Sequence, residues 1–280
     1  FAEGALRWSA DALFLRAREG AALHARGGLQ TLACTQPFKP EADRLQRIGV
    51  TLVDEDAVPA ARYPLVLVLP PRQREEARAL LAKACMAVAP GGIVISSVSN
   101  DEGAKSREAD LKQLAGTVTT LSKHHCRVSW TRPDASFDAA TLAQWAKADA
   151  PRKVISPNVP GGSFMSRPGV FAWDRVDAAS AMLAAALPDD LHGRVADFGA
   201  GWGYLSLQVL ARCPKVASLD LYEADARSLE TQAVGAEQRD ALLLGIHGGL
   251  RVELPRKLLH EGLRLVGRVR RLEELVDRSE

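Results

Sequence analysis

The stretch VADFGAGWGYLSLQVLA, residues 195–211, decides the fold. Val195 to Phe198 read as a short buried strand, Gly199 to Gly203 form a turn with glycine at every second position, and from Tyr204 apolar residues recur at helical spacing. Glycine carries no Cβ, so the backbone of such a turn can approach a ligand closely while N–H groups at the helix start point towards it.

The same alternation extends in both directions. Upstream, WDRVDAASAMLAAALP (173–188) has helical periodicity; downstream, SLDLYEADARSLETQAV (218–234) reads as a strand followed by a helix. In the first half, LVLVLP (65–70) is a strand, RQREEARALLAKACMAV (72–88) a helix and GGIVISSV (91–98) a second strand. ADLKQLAGTVTTLSKHH (109–125) starts as another amphipathic helix, and CRVSWTR (126–132) alternates like a half-exposed strand. This βαβ spacing predicts an α/β fold with mostly parallel, twisted sheets flanked by helices. The breaker-rich run PRKVISPNVPGGSFMSRP (151–168) is expected to be a linker between a domain over 1–150 and a domain over 169–280. Gly91-Gly92 and Gly248-Gly249 each precede an apolar run, and both halves read as one type of unit, which suggests duplication.

Composition sets limits on function. Of 280 residues, 47% are hydrophobic and 25% charged, enough for buried cores, while a net charge of +2 neither demands nor excludes a polyanionic partner. Cys34, Cys85, Cys126 and Cys213 lie far apart without metal-ligand spacing, so free thiols in a reducing compartment and no metal site are expected. No apolar run is long enough to span a membrane, and FAEGALRW lacks a secretory pattern, so a cytoplasmic location without membrane contact is expected. The chain starts at Phe1 rather than at methionine, and native residues are expected to precede it.

A dinucleotide fingerprint, G-x-G-x-x-G, needs its third glycine where Tyr204 stands, so the pyrophosphate reading loses ground. Asp197 gives D-x-G-x-G-x-G instead, which resembles motif I of class I S-adenosylmethionine-dependent methyltransferases. In that family the turn passes beneath the cofactor, and an acid at the end of the second strand accepts both ribose hydroxyls. Glu223 stands at that place. The resemblance implies S-adenosylmethionine as cofactor and Asp197, Gly199, Ala200, Gly201, Gly203 and Glu223 as its binding residues.

A narrower resemblance lies upstream. Arg167-Pro168-Gly169-Val170-Phe171, then Trp173-Asp174-Arg175-Val176-Asp177 and an apolar helix, looks like the segment before motif I in the RsmC/RlmG-type ribosomal RNA guanine-N2 methyltransferases. Those proteins pair a degenerate N-terminal methyltransferase-like domain with an active C-terminal one. The resemblance implies two Rossmann-like domains in tandem, with the first assisting in RNA docking. It also implies methylation of a guanine N2 amine in ribosomal RNA, a small-subunit RNA being favoured. Phe171 is carried over as a cofactor neighbour; alternatively Phe171 and Trp173 are core aromatics. Asp177 reads equally as a helix-start acid. Asp220 reads as a surface or turn carboxylate rather than a second ribose ligand, and Trp202 shields the cofactor or packs on the helix.

Two features depart from the family. Its Asn/Asp-Pro-Pro-aromatic motif, whose oxygens orient the exocyclic amine while the ring stacks on the flipped base, has no counterpart; Leu69-Pro70-Pro71-Arg72 stands in the first half without the Asn or the aromatic. From Glu223 to Gly248 there are twenty-five residues, about half of the roughly fifty that the intervening elements need, so residues are expected to be missing between about 231 and 248. GGLRVELPRKLLHEGL then resumes like the family's fifth strand. Two other function classes stay open: a cofactor- and RNA-binding protein without catalysis, and a methyltransferase acting on a small molecule or a protein. Arg72, Arg74, Arg268, Arg270 and Arg271, with Lys123, His124 and His125, read as phosphate contacts or as solvated charges.

Overall fold

The computed structural model describes residues 11–25, 29–237 and 250–253. It divides into two units at Asp149/Ala150. The first contains β1 (Ala12–Leu15), α1 (Ala21–His24), β2 (Leu32–Cys34), α2 (Lys39–Arg47), β3 (Thr51–Leu52), β4 (Tyr63–Val68), α3 (Arg74–Ala87), β5 (Val88–Ser99), α4 (Ala104–Ala115), β6 (Val118–Lys123), β7 (Cys126–Thr131) and α5 (Ala139–Trp145). The second contains β8 (Arg152–Ile155), β9 (Ser163–Ser166), α6 (Ala178–Ala186), β10 (His192–Phe198), α7 (Tyr204–Arg212), β11 (Lys215–Tyr222), α8 (Ala226–Glu237) and β12 (Leu250–Glu253).

The first unit is one seven-stranded sheet in the order β3-β2-β1-β4-β5-β7-β6. Strands β3 to β5 run parallel, and β7 pairs antiparallel with both β5 and β6. Side chains alternate across it as the strand period requires. Leu13, Leu15, Val66 and Val68 enter one core with Leu80, Leu81, Leu111 and Trp145. Ala12, Leu32, Leu65 and Ile95 enter the other with Leu45. Helices α3 and α5 are started by side-chain caps: Gln73 accepts from the Glu76 N–H at 2.7 Å, and Asp138 accepts from the Thr141 N–H at 2.7 Å.

Three stretches depart from the sequence reading. The stretch 109–125 starts within a helix as expected, but that helix ends at Ala115, Gly116 turns the chain at φ 74°, and Val118–Lys123 form β6. The β6–β7 connection is a two-residue turn with His124 and His125 at φ 52° and 57°, both left-handed, so Lys123, His124 and His125 belong to a hairpin end. The expected linker over 151–168 instead carries the antiparallel pair β8–β9, and its Phe164 is 2% exposed within the second unit's core.

In the second unit β10 and β11 are parallel, and β12 lies antiparallel on the far side of β11. Among the described residues Leu250–Glu253 therefore lies at the edge beside β11 and antiparallel to it. Asp177 caps α6, accepting from the Ser180 N–H at 3.0 Å, which settles it as a helix-start acid. The interval where residues are expected to be missing falls largely on 238–249, and Arg268, Arg270 and Arg271 on 254–280, both outside the described residues. Among the described residues no helix is long and apolar enough to cross a membrane.

Candidate functional site

The turn after β10 is held by the end of β11. The N–H groups of Gly199 and Ala200 donate to the Tyr222 carbonyl at 2.8 and 3.1 Å, and the Gly203 N–H donates to the Ala200 carbonyl at 2.8 Å. Gly199, Gly201 and Gly203 have φ of 74°, 55° and 95°, the left-handed region that residues with a Cβ rarely adopt. A Cβ added at Gly199 or Gly201 would meet nothing within 4 Å. The backbone of the turn therefore faces open space, as a ligand cradle must.

Glu223 follows β11 directly and fastens the turn. Its Oε2 accepts from the Gly201 N–H at 2.7 Å, and its Oε1 accepts from the N–H groups of Ala224 and Asp225 at 2.7 and 2.9 Å. These bonds fix the carboxylate's orientation while leaving it part-buried at the rim of the turn. Asp197, 9% exposed, accepts from the Ser206 hydroxyl on α7 at 2.6 Å. Burial raises its pKa, the Ser206 bond opposes that, and the charge of Glu223 adds to the rise. Two carboxylates, one buried and one at the rim, thus flank an open glycine turn.

Of the expected site residues, Asp197, Gly199, Ala200, Gly201, Gly203 and Glu223 come together in this way. Phe171 is 70% exposed, so it is no core aromatic, while Trp173 packs partly buried on the core with the Arg152 guanidinium 4.3 Å from its ring centroid. Trp202 stacks on Phe164 of β9 at 3.7 Å and 13°, which makes it the brace between the turn and the hairpin. Asp220 is 7% exposed with Arg194 at 3.4 Å, so the expected surface carboxylate is an inward one.

Sequence reasoning missed Ser206, a small polar residue on a helix face with nothing to single it out. It also missed Arg167, 6% exposed and paired with Glu230 of α8 at 3.2 Å, and the stacked Phe198–Tyr222 pair at the ends of β10 and β11. Among the described residues no group of three or more His, Cys, Asp and Glu side chains could hold a metal ion.

The first unit offers an internal comparison. Five residues separate β1 from α1, as five separate β10 from α7, but they are Arg16-Ala17-Arg18-Glu19-Gly20. Arg16 stands where Gly199 stands in the second unit, itself at φ 55°, and its guanidinium donates to Glu55 at 2.7 Å and Glu76 at 2.8 Å. An ion-paired arginine thus replaces the glycine backbone at the carboxyl end of the first strand, where a doubly wound sheet binds its ligand.

Residues 161–245 match the family described as Methyltransferase small domain. The ribosomal RNA small subunit methyltransferase C of Psychromonas ingrahamii is 30% identical over 169 residues, which is 60% of this chain and 47% of that protein. Its counterpart in Shewanella baltica is 28% identical over 184 residues, covering 65% of this chain and 51% of the relative. The chain thus spans about half the length of the curated relatives it matches. Among solved structures, the T. thermophilus 16S rRNA N2 G1207 methyltransferase (RsmC), in complex with AdoMet and guanosine, superposes with a TM-score of 0.71 at 19% identity. That match covers 87% of this chain and 66% of the other, and it establishes the Rossmann-like α/β fold.

Proposed function

We propose that the chain, similar to the RsmC-type class I methyltransferases, transfers the methyl group of S-adenosylmethionine to the N2 amine of a guanine in small-subunit ribosomal RNA. The observation that carries the proposal is the bond between Glu223 and the Gly201 N–H, which joins the acid at the end of β11 to the open glycine turn. When bound, the cofactor supplies an electrophilic methyl group on a sulfonium.

The chain's residues bind and orient. Gly199 and Gly201 give a backbone surface without obstructing side chains, and the Glu223 carboxylate, three of whose four lone-pair sites are taken by the N–H groups of Gly201, Ala224 and Asp225, keeps one on Oε2 to accept from a ribose hydroxyl. Asp197, fixed by Ser206, places a second acceptor beneath the turn. No strong base is required of the protein, because the amine loses its proton after attack. A cytoplasmic location and docking of RNA by the first unit belong to the same reading, as does Phe171 at the rim of the cofactor pocket.

A second reading, binding without transfer, is favoured by one observation: the chain's single Pro-Pro pair is Leu69-Pro70-Pro71-Arg72, in the first unit and without the amine-orienting Asn or Asp. The test is incubation of the full chain with small ribosomal subunits and methyl-labelled S-adenosylmethionine, followed by nucleoside chromatography. Label in N2-methylguanosine is expected. Cofactor binding with no label in RNA would overturn the transfer reading in favour of the second.

A further inference from the structure

The carboxyl ends of β4 and β5 carry an arginine cluster that the cofactor site does not use. Asp110 of α4, its side chain 2% exposed, is met by three guanidiniums. Arg78 donates from Nε and Nη2 to Oδ1 at 3.0 and 2.9 Å, Arg107 donates to Oδ2 at 3.1 Å, and Arg74 stands 3.6 Å from Oδ1. Arg107 also donates to the Arg72 carbonyl at 3.0 Å, tying α4 to the start of α3.

One arginine would neutralise Asp110; three leave a surplus of positive charge at a site where burial makes charge costly. The strain is visible on Arg107. Its side chain is 4% exposed and its Nε has no hydrogen-bond partner. Burial lowers its pKa, Asp110 opposes this, and Arg74 and Arg78 lower it further. The first turn of the 14-residue helix α3 adds its own partial positive charge. That turn also carries two acids, Glu75 and Glu76, and Glu76 is taken up by Arg16. Arg72 is exposed, as is Arg74 with 60% of its side chain accessible, so the cluster opens to solvent on that side.

We propose that this cluster is a phosphodiester-binding site by which the first unit holds RNA, an inference that rests on the RNA-substrate reading above. Planar guanidinium forks match phosphate oxygens, and one bound phosphodiester, with its single negative charge, would offset part of the surplus. A lipid surface is disfavoured by the setting. Among the described residues, the large exposed apolar ones of this unit are Phe38, Met86 and Leu121, none of them in the segments 69–78 and 100–110 that build the cluster.

The test is the salt dependence of ribosomal RNA binding by the full chain carrying Arg72→Gln and Arg74→Gln, both exposed, with Arg74 the most distant of the three guanidiniums on Asp110 at 3.6 Å. Losing one phosphate contact reduces the slope of log affinity against log salt by about 1 and weakens binding roughly ten-fold. A second double variant, Arg44→Gln with Arg47→Gln on α2, removes the same charge elsewhere in the unit and is expected to leave the slope close to wild type. Equal slopes in the two variants, or an unchanged slope in the first, would overturn the proposal. So would loss of binding to phosphatidylglycerol vesicles with RNA binding intact. S-adenosylmethionine titrations on the same proteins keep the two readings apart. Failure of the wild type to bind the cofactor counts against the methyltransferase reading, whereas the RNA slope alone decides the cluster.

Discussion

Replacing Glu55 by Gln tests whether the ionic lock in the first unit stabilises it as its geometry implies. Burial pushes the Glu55 carboxyl up, but Arg16 at 2.7 Å and Lys83 at 3.2 Å outweigh burial and hold it at about 2, against an ordinary value of 4.5. With its side chain only 15% exposed, little of that attraction is screened by solvent. The gap between the two values is worth about 3 kcal/mol at neutral pH. Because the folded-state value is depressed, this contribution is fully present above the unfolded value near 4.5 and is lost as pH falls towards 2. Glu55→Gln keeps the volume and removes the charge, while Arg16 retains Glu76 at 2.8 Å and Lys83 retains Asp56 at 2.8 Å. Urea titrations of the full chain, read through amide exchange in β1 and β4, should give a wild-type advantage of about 3 kcal/mol at pH 7 that shrinks towards zero by pH 2. An advantage that persists unchanged at pH 2 would refute the reasoning, since packing rather than charge would then be its source.

Asp197→Asn works in the opposite sense. Burial raises the Asp197 carboxyl, so the native state binds its proton more tightly and stability falls as pH climbs through the carboxylate range. The substitution should leave the second unit at least as stable as wild type at pH 7 in urea unfolding, yet weaken S-adenosylmethionine binding about ten-fold in calorimetry. Trp202→Ala removes a side chain that is 6% exposed and stacked on Phe164, and should cost about 3–5 kcal/mol in thermal or urea unfolding of that unit. Replacing His124-His125 by Asn-Gly, which accept left-handed backbone readily, should stabilise the first unit by about 1 kcal/mol on the same assays.

What the sequence disclosed follows from where local signals are strong. The strands at 65–68 and 195–198, the helix at 74–87 and the glycine turn each combine periodicity with a breaker, and the structure reproduces them. Strands β1 to β3 are not legible because ALFL, LAC and TL are too short for period-2 alternation to register; parallel pairing of β1 with β4, β2 with β1 and β3 with β2 makes them strands. The proline- and glycine-rich run 151–168 looked like a linker because breakers dominate its composition. Phe164 and Trp202, far apart in sequence, make it a packed hairpin instead. In the site, Asp197 and Glu223 were legible through their spacing to the glycines. Ser206 and the arginines around Asp110 were not, since their roles depend on contacts between helices that no local pattern encodes.

The account stands most directly on the cofactor site, and calorimetric titration of the full chain with S-adenosylmethionine, wild type against Glu223→Ala, tests it. Saturable one-site binding to wild type is predicted, weakened at least about ten-fold by loss of one charge-assisted hydrogen bond to the ribose and of the bond that holds the Gly201 turn. No binding to wild type, or equal binding to both proteins, would contradict it.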